Sequence, residues 1–277
     1  MKQGYLQLDA DASIYYQMSR QAETNIMLIP GWTMSVEVFN RQFEYFEGIP
    51  NVGVAAFDPR AHGKSNHTET GHNYAQQAHD MAALIKSLEL ENLVLVGWSF
   101  GVLAMLSYLE LYGCNDLKGI VVLDGSPRVK GKGDKLEWVT YELDDINDEE
   151  NFFSYGVLSD RKKFNDEFAR WMLEDCSQQN LNWVHEISSQ TPASVASELN
   201  LSAHDLDFSS ILITLDSQLP MLYVVREEIF ENVSEWSQTF TPHAQVEGFG
   251  KHMMFWERHQ QFNELLLDFV NTLDSVP

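Results

Sequence analysis

Two kinds of hydrophobic pattern alternate along the chain. Short continuous apolar runs occur at residues 25–29, 52–57, 93–96, 120–123 and 221–226. Between and after them, apolar residues recur at helical spacing. Val36, Phe39, Phe43 and Phe46 form one such set. Tyr74, Ala78, Met81, Ile85 and Leu88 form a second, and Phe262, Leu265, Leu266, Phe269, Val270 and Leu273 a third. A strand that is apolar on every residue must be covered on both faces, and helices between such strands provide the cover. The pattern predicts an α/β fold with a mostly parallel central sheet and helices on both faces. Residues 4–8 and 12–18 read as an antiparallel pair turning near Asp9-Ala10-Asp11. A helix near 229–239 and a short strand near 244–248 complete the alternation.

The alternation stops after Pro127. Arg128, Lys130, Lys132 and Lys135 stand among glycines, followed by an acidic stretch with Glu142, Asp144, Asp145, Asp148, Glu149 and Glu150. Helical signals with bulky side chains (Phe152, Phe153, Phe164, Phe168, Trp171, Trp183) then run to about residue 205. The expected organisation is a core made of residues 1–127 and 213–277, with residues 128–212 inserted as a helical cap. The charged runs are expected to be solvated faces.

Composition narrows the function. The 277 residues carry 18 basic and 41 acidic side chains, a formal net charge of −23. Such a surface repels nucleic acid and anionic membranes. No apolar run approaches the roughly 20 residues of a membrane span, and the first residues lack the apolar centre of a signal peptide. Cys114 and Cys176 lie far apart and outside any ligand-rich cluster, so both are expected to be reduced. The expectation is a cytoplasmic protein acting on a small molecule; a homo-oligomer is compatible with it. His62, His67, His72 and His79 crowd one region, but their spacing fits no zinc pattern. Neither a metal nor a cofactor is expected.

The strongest chemical signal is Gly97-Trp98-Ser99-Phe100-Gly101, which follows the run 93–96 and precedes a helical stretch from Val102 to Tyr112. Gly-x-Ser-x-Gly between a strand and a helix is the context of a nucleophile elbow, a strained turn flanked by small residues that lifts the serine out of the sheet. A serine hydroxyl needs a general base, and the base needs an orienting acid. His252, in a glycine-containing loop between the last strand and the last helix, is the candidate base. Two acids remain open: Asp124, which ends the run 120–123, and Glu228, just beyond the strand at 221–226. Asp124 is preferred, because its strand is expected beside that of the elbow. The backbone N–H groups of Phe100 and Trp32 are the candidate oxyanion donors. Trp32, Trp98 and Phe100 are expected to line an apolar substrate pocket.

With these residues placed, the chain resembles an α/β-hydrolase of the haloperoxidase-like and esterase-like branch, with a helical cap. The matching segments are Leu28-Ile29-Pro30-Gly31-Trp32, the stretch from Phe57 through Asp58, Arg60, His62 and Gly63 to Ser65, Val96 to Gly101, Val122 to Pro127, and Gly250-Lys251-His252. The resemblance implies that Ser99 is the nucleophile, His252 the base and the insertion a cap over the site. Many family members place the acid in a Gly-x-x-Asp pattern after the strand at 221–226, where this chain has Arg226 and Ile229. Some place it where Asp124 stands. Pro30 replaces the usual His and Lys251 the usual Gly. Serine in the elbow disfavours haloalkane dehalogenase and epoxide hydrolase chemistry, which use Asp there. The expected activity is hydrolysis of a small carboxylic ester or lactone through an acyl-enzyme. C–C bond hydrolysis, cofactor-free dioxygenation and a non-enzymatic receptor on the same fold are the alternatives.

Overall fold

The computed structural model describes residues 1–130, 137–138 and 151–273. Lys132, Lys135, the acidic stretch from Glu142 to Glu150 and the side chain of Phe152 lie outside the described residues. Eight strands form one sheet in the order β1-β2-β4-β3-β5-β6-β7-β8. They are β1 (Lys2–Gln7), β2 (Ser13–Met18), β3 (Thr24–Ile29), β4 (Val52–Phe57), β5 (Leu93–Trp98), β6 (Leu117–Leu123), β7 (Met221–Val225) and β8 (Gln245–Gly248). β1 and β2 form the antiparallel edge, and all pairings from β4 through β8 are parallel. The strands β3, β4, β5 and β7 are buried at every position, as their unbroken apolar runs require. The fold is that of the α/β hydrolases.

Helices cover both faces. On one side α2 (Tyr74–Ser87) packs against α3 (Gly101–Tyr112), and α3 against β5. The side chains of a strand alternate between faces, so Gly97 looks towards α3 while Trp98 points to the opposite layer. There Trp98 meets Phe255. That layer also holds α1 (Asn40–Glu47), which packs against the C-terminal helix. Gln42 ties the two together by donating to the Phe255 carbonyl and to Asn263.

Between β6 and β7 the chain forms α4 (Arg161–Met172), α5 (Gln178–Ser189), α6 (Ala193–Ala203) and α7 (Ser209–Leu215), preceded by two short helical pieces, Asn151–Gly156 and Val157–Ser159. The two ends of this insertion meet. Arg128 and Asp207 form an isolated antiparallel bridge, and the Phe208 N–H donates to the Pro127 carbonyl. α7 packs against α3 of the core. After β7 come α8 (Phe230–Phe240) and α9 (His259–Leu273).

The elbow itself is tight. Ser99 has φ +54°, a left-handed conformation that costs a non-glycine residue energy and persists only where the surroundings impose it. A Cβ on Gly97 would lie 2.8 Å from the Gly101 carbonyl oxygen, and one on Gly101 would lie 2.4 Å from that of Ile29. Gly125, at the tip of β6, would strike the Ser99 carbonyl at 2.3 Å. These neighbours are backbone atoms and cannot swing away. Gly101→Ala should therefore destabilise the fold by about 1–3 kcal/mol, the usual cost of overpacking. Chemical denaturation measures it, and an unchanged midpoint would contradict the packing described.

Candidate active site

Parallel pairing brings three strand ends together. β5 ends at Trp98 and delivers Ser99; β6 ends at Leu123 and delivers Asp124; β7 ends at Val225 and delivers Arg226. The Ser99 N–H donates to the Leu123 carbonyl at 2.9 Å, and the Asp124 N–H to the Val224 carbonyl at 2.8 Å. Like Ser99, Asp124 sits at positive φ, +43°, a conformation Asp tolerates better than most residues.

The loop after β8 brings His252 to this edge. Its Nδ1 lies 2.5 Å from Asp124 Oδ2, and both residues are buried. Glu228 is elsewhere: its side chain is 78% exposed and lies 3.4 Å from Arg226 Nε. Of the two candidate acids, the structure brings Asp124 to the histidine. Asp124 Oδ1 also accepts the Arg226 backbone N–H at 2.9 Å, and its Oδ2 is 3.2 Å from Arg226 Nη1.

These contacts set the charges. Burial pushes the Asp124 carboxyl up, but the hydrogen bond and charge of His252, with Arg226, outweigh it and hold the group below the ordinary carboxylate value. His252 is pulled below 6.5, mainly by burial, against the opposing effect of Asp124 and with help from Arg226. The pair is thus a carboxylate and a neutral imidazole. The carboxylate only accepts, so Nδ1 carries the ring proton and Nε2 presents a lone pair. Nε2 is buried and has no hydrogen-bond partner among the described residues. A Ser99–His252 hydrogen bond is therefore not formed in this structure. The two residues flank the same Asp124-Gly125 corner: Gly125 abuts the Ser99 carbonyl and Asp124 binds the imidazole.

Trp98 departs from expectation. The sequence pattern places it in the pocket lining, whereas it is 1% exposed and packs on the His252 ring with centroids 5.3 Å apart. Its Nε1–H donates to the His252 carbonyl at 3.0 Å. Strand alternation is the reason, because it turns the residue before Ser99 into the layer behind the histidine. Trp98 backs the His252 imidazole. Two further side chains, which carry no sequence motif, flank the pair. Trp171 of α4 lies against His252 at 4.5 Å between centroids, and the Arg226 guanidinium sits over the Trp171 ring. The only local signal for Arg226 is its place directly after a buried strand.

The loop after β3 closes over the elbow. A Cβ on Gly31 would come within 3.0 Å of Ser99 Cβ, so this glycine lets the loop lie on the serine. Neither the Trp32 N–H nor the Phe100 N–H donates a hydrogen bond among the described residues. The Trp32 ring rises into the insertion, edge-on to Phe153, Phe164 and Phe168, and its Nε1–H donates to the Ala196 carbonyl at 2.7 Å. Phe100 is half-buried with its ring against Tyr74.

The histidine-rich region does not converge on one point. His62 Nδ1 contacts the Arg60 carbonyl, His72 contacts Thr68 and Glu198, His79 contacts Tyr112, and His67 is exposed. Among the described residues no group of three or more His, Cys, Asp or Glu is placed to hold a metal ion. Cys114 and Cys176 are free thiols, and no described helix is long and apolar enough to cross a membrane.

A strained serine elbow, a buried histidine–carboxylate pair and two unengaged amides at the carboxyl edge of this sheet define an α/β hydrolase. A sequence model of the family described as alpha/beta hydrolase fold matches residues 24–198, and the chain belongs to that family. Among curated proteins it is similar to a non-heme chloroperoxidase of Kitasatospora aureofaciens, 28% identical over 140 residues that cover 50% of this chain and 48% of that one. The matching segment thus spans less than half of that relative. Among solved structures it is similar to a bromoperoxidase from Bacillus anthracis, with TM-score 0.86, 22% identity and coverage of 98% and 100% of the two chains. An esterase from Exiguobacterium antarcticum gives TM-score 0.81, 19% identity and coverage of 96% and 98%.

The electrostatics of the pair have a testable sign. In an NMR titration, the His252 imidazole should protonate below the ordinary value of 6.5. Asp124→Asn should lower it further, because a group that favours the cation is lost. Arg226→Met should raise it, because a repelling cation is lost. The unfolded chain takes up that proton first, so this group withdraws stability as the pH falls through about 6.5. Protonation of His252 above 6.5 in the wild type would contradict the assigned charges.

Proposed function

We propose that the protein hydrolyses carboxylic esters of small molecules, without cofactor, through an acyl-enzyme on Ser99. The observation that carries the reading is the buried, neutral imidazole of His252. Its Nδ1 is held by Asp124 at 2.5 Å and its Nε2 is unengaged at the tip of the strand beside the elbow. Reaction requires the Ser99 Oγ to come within hydrogen-bond reach of this nitrogen. Nε2 then takes the Oγ proton as Oγ attacks the acyl carbon. The carbonyl oxygen gains negative charge and is received by the N–H groups of Phe100 and Trp32. Collapse expels the alkoxide, which takes its proton from the imidazolium. In the second half, water gives a proton to His252 and its oxygen attacks the acyl-serine, releasing the acid and restoring the hydroxyl. Asp124 fixes the tautomer and stabilises the transient imidazolium throughout. The apolar wall of Trp32, Phe164 and Phe168 suits the alkyl or aryl carbons of the ester.

The similarity to a non-heme chloroperoxidase favours a second use of the same intermediate. If hydrogen peroxide replaces water, attack of its oxygen on the acyl-serine yields a peracid and free Ser99, with no metal required for atom balance.

Short-chain 4-nitrophenyl esters provide the test. Ser99→Ala should lower kcat by roughly 10⁴-fold or more, and Asp124→Asn by roughly 10³- to 10⁴-fold through loss of the correct tautomer. Glu228→Gln should stay within about threefold, since an exposed ion pair contributes little. Full activity in Ser99→Ala would overturn the nucleophile, and a collapse confined to Glu228→Gln would overturn the acid.

A further inference from the structure

The inner face of α4 runs lengthwise across the proposed site. Trp171 lies against His252, Phe168 and Phe164 against the Trp32 ring, and Arg161 opens the helix. The spacing of 3, 4 and 3 residues keeps these side chains on one face, and ten residues of helix span about 15 Å. At the Arg161 end the guanidinium is linked to the loop that follows β3. Nη2 donates to the Ser188 and Thr191 carbonyls and lies 3.3 Å from Ser188 Oγ. Ser188 Oγ in turn lies 2.9 Å from Thr33 Oγ1, and Thr33 directly follows Trp32.

The remainder of that guanidinium is unsatisfied. Nε and Nη1, which carry three of the five N–H donors of an arginine, are buried and have no hydrogen-bond partner among the described residues. Among the described residues no carboxylate pairs with Arg161. Burial lowers its pKa to about 10, so it remains a cation at neutral pH. It also occupies the first position of its helix, where the dipole disfavours positive charge. Its contacts with the end of α5 use one nitrogen and leave the others unexplained. Arg161 is half-buried, and withdrawing its covered nitrogens from water without a counter-ion is costly. Its charge reaches His62, which is buried and held uncharged, its pKa lowered to about 4 chiefly by burial.

We propose that Arg161 binds a carboxylate carried by the substrate, so that the preferred esters are half-esters of dicarboxylic acids. A carboxylate supplies the single negative charge and the acceptor oxygens that this one guanidinium lacks, and the Ser188 and Thr33 hydroxyls stand beside it. A lone guanidinium in a chain of net charge −23 is matched to one negative charge rather than to a polyanion. The proposal rests on the reading of the protein as an esterase, and its test separates the two.

The kinetic arm compares 4-nitrophenyl half-esters of malonate, succinate, glutarate and adipate with 4-nitrophenyl butanoate. The wild type should prefer at least one half-ester in kcat/KM. Arg161→Met should reduce that preference by roughly 10- to 100-fold, the range for a lost charged hydrogen bond, and Arg161→Lys should retain part of it. The binding arm needs no turnover. Free glutarate should raise the melting temperature of the wild type and of Ser99→Ala, but not of Arg161→Met. If Arg161→Met does not fold, the loss is read from Arg161→Lys against wild type in both arms. If no ester is cleaved yet glutarate stabilisation still requires Arg161, the esterase reading fails and the anion site stands. An equal ester preference and an equal glutarate response in wild type and variants would overturn the site and leave Arg161 as a helix cap.

Discussion

Everything at the active edge depends on the chain turning at Ser99 with φ +54°. Any residue larger than glycine at positions 97, 101 or 125 would collide with backbone on a neighbouring segment. Those three positions let β3, β5 and β6 approach until the tip of one strand touches the next. The approach has chemical consequences. It raises the serine above the sheet, leaves the Phe100 N–H outside the hydrogen-bond ladder, and sets Asp124 one strand away. The energy held in the turn is balanced by the buried sheet beneath it, in which four strands are covered at every residue.

A second layer of organisation comes from aromatic packing. His252 is flanked by Trp98 from the core and Trp171 from the insertion, while Trp32 from the core is enclosed by phenylalanines of the insertion. Movement of α4 would thus change the surroundings of the imidazole and of the proposed oxyanion loop together. Arg226 joins the two layers, with its guanidinium against both Asp124 and the Trp171 ring.

Much of this was legible in the chain. Strands buried on both faces leave unbroken apolar runs, so β4 is found where its run lies, and the parallel core follows. Gly97-Trp98-Ser99-Phe100-Gly101 is readable because the elbow tolerates few residues at its flanks. The choice between Asp124 and Glu228 stayed open because it turns on which strand tips are neighbours, a long-range property. Trp98 does not line the pocket for a local reason: strand alternation assigns it to the face opposite Gly97, behind the histidine. Arg226, Trp171 and Arg161 carry no motif. Their partners lie from 27 to 102 residues away along the chain, which no local pattern encodes.

The proposed chemistry needs an oxygen nucleophile at position 99. Rapid mixing with 4-nitrophenyl acetate, followed by acid quench and peptide mass analysis, tests it directly. A burst of nitrophenolate stoichiometric with enzyme and one acetyl group on the peptide containing Ser99 are predicted. Turnover with that peptide never modified, or acetylation of another residue at the burst rate, would contradict it.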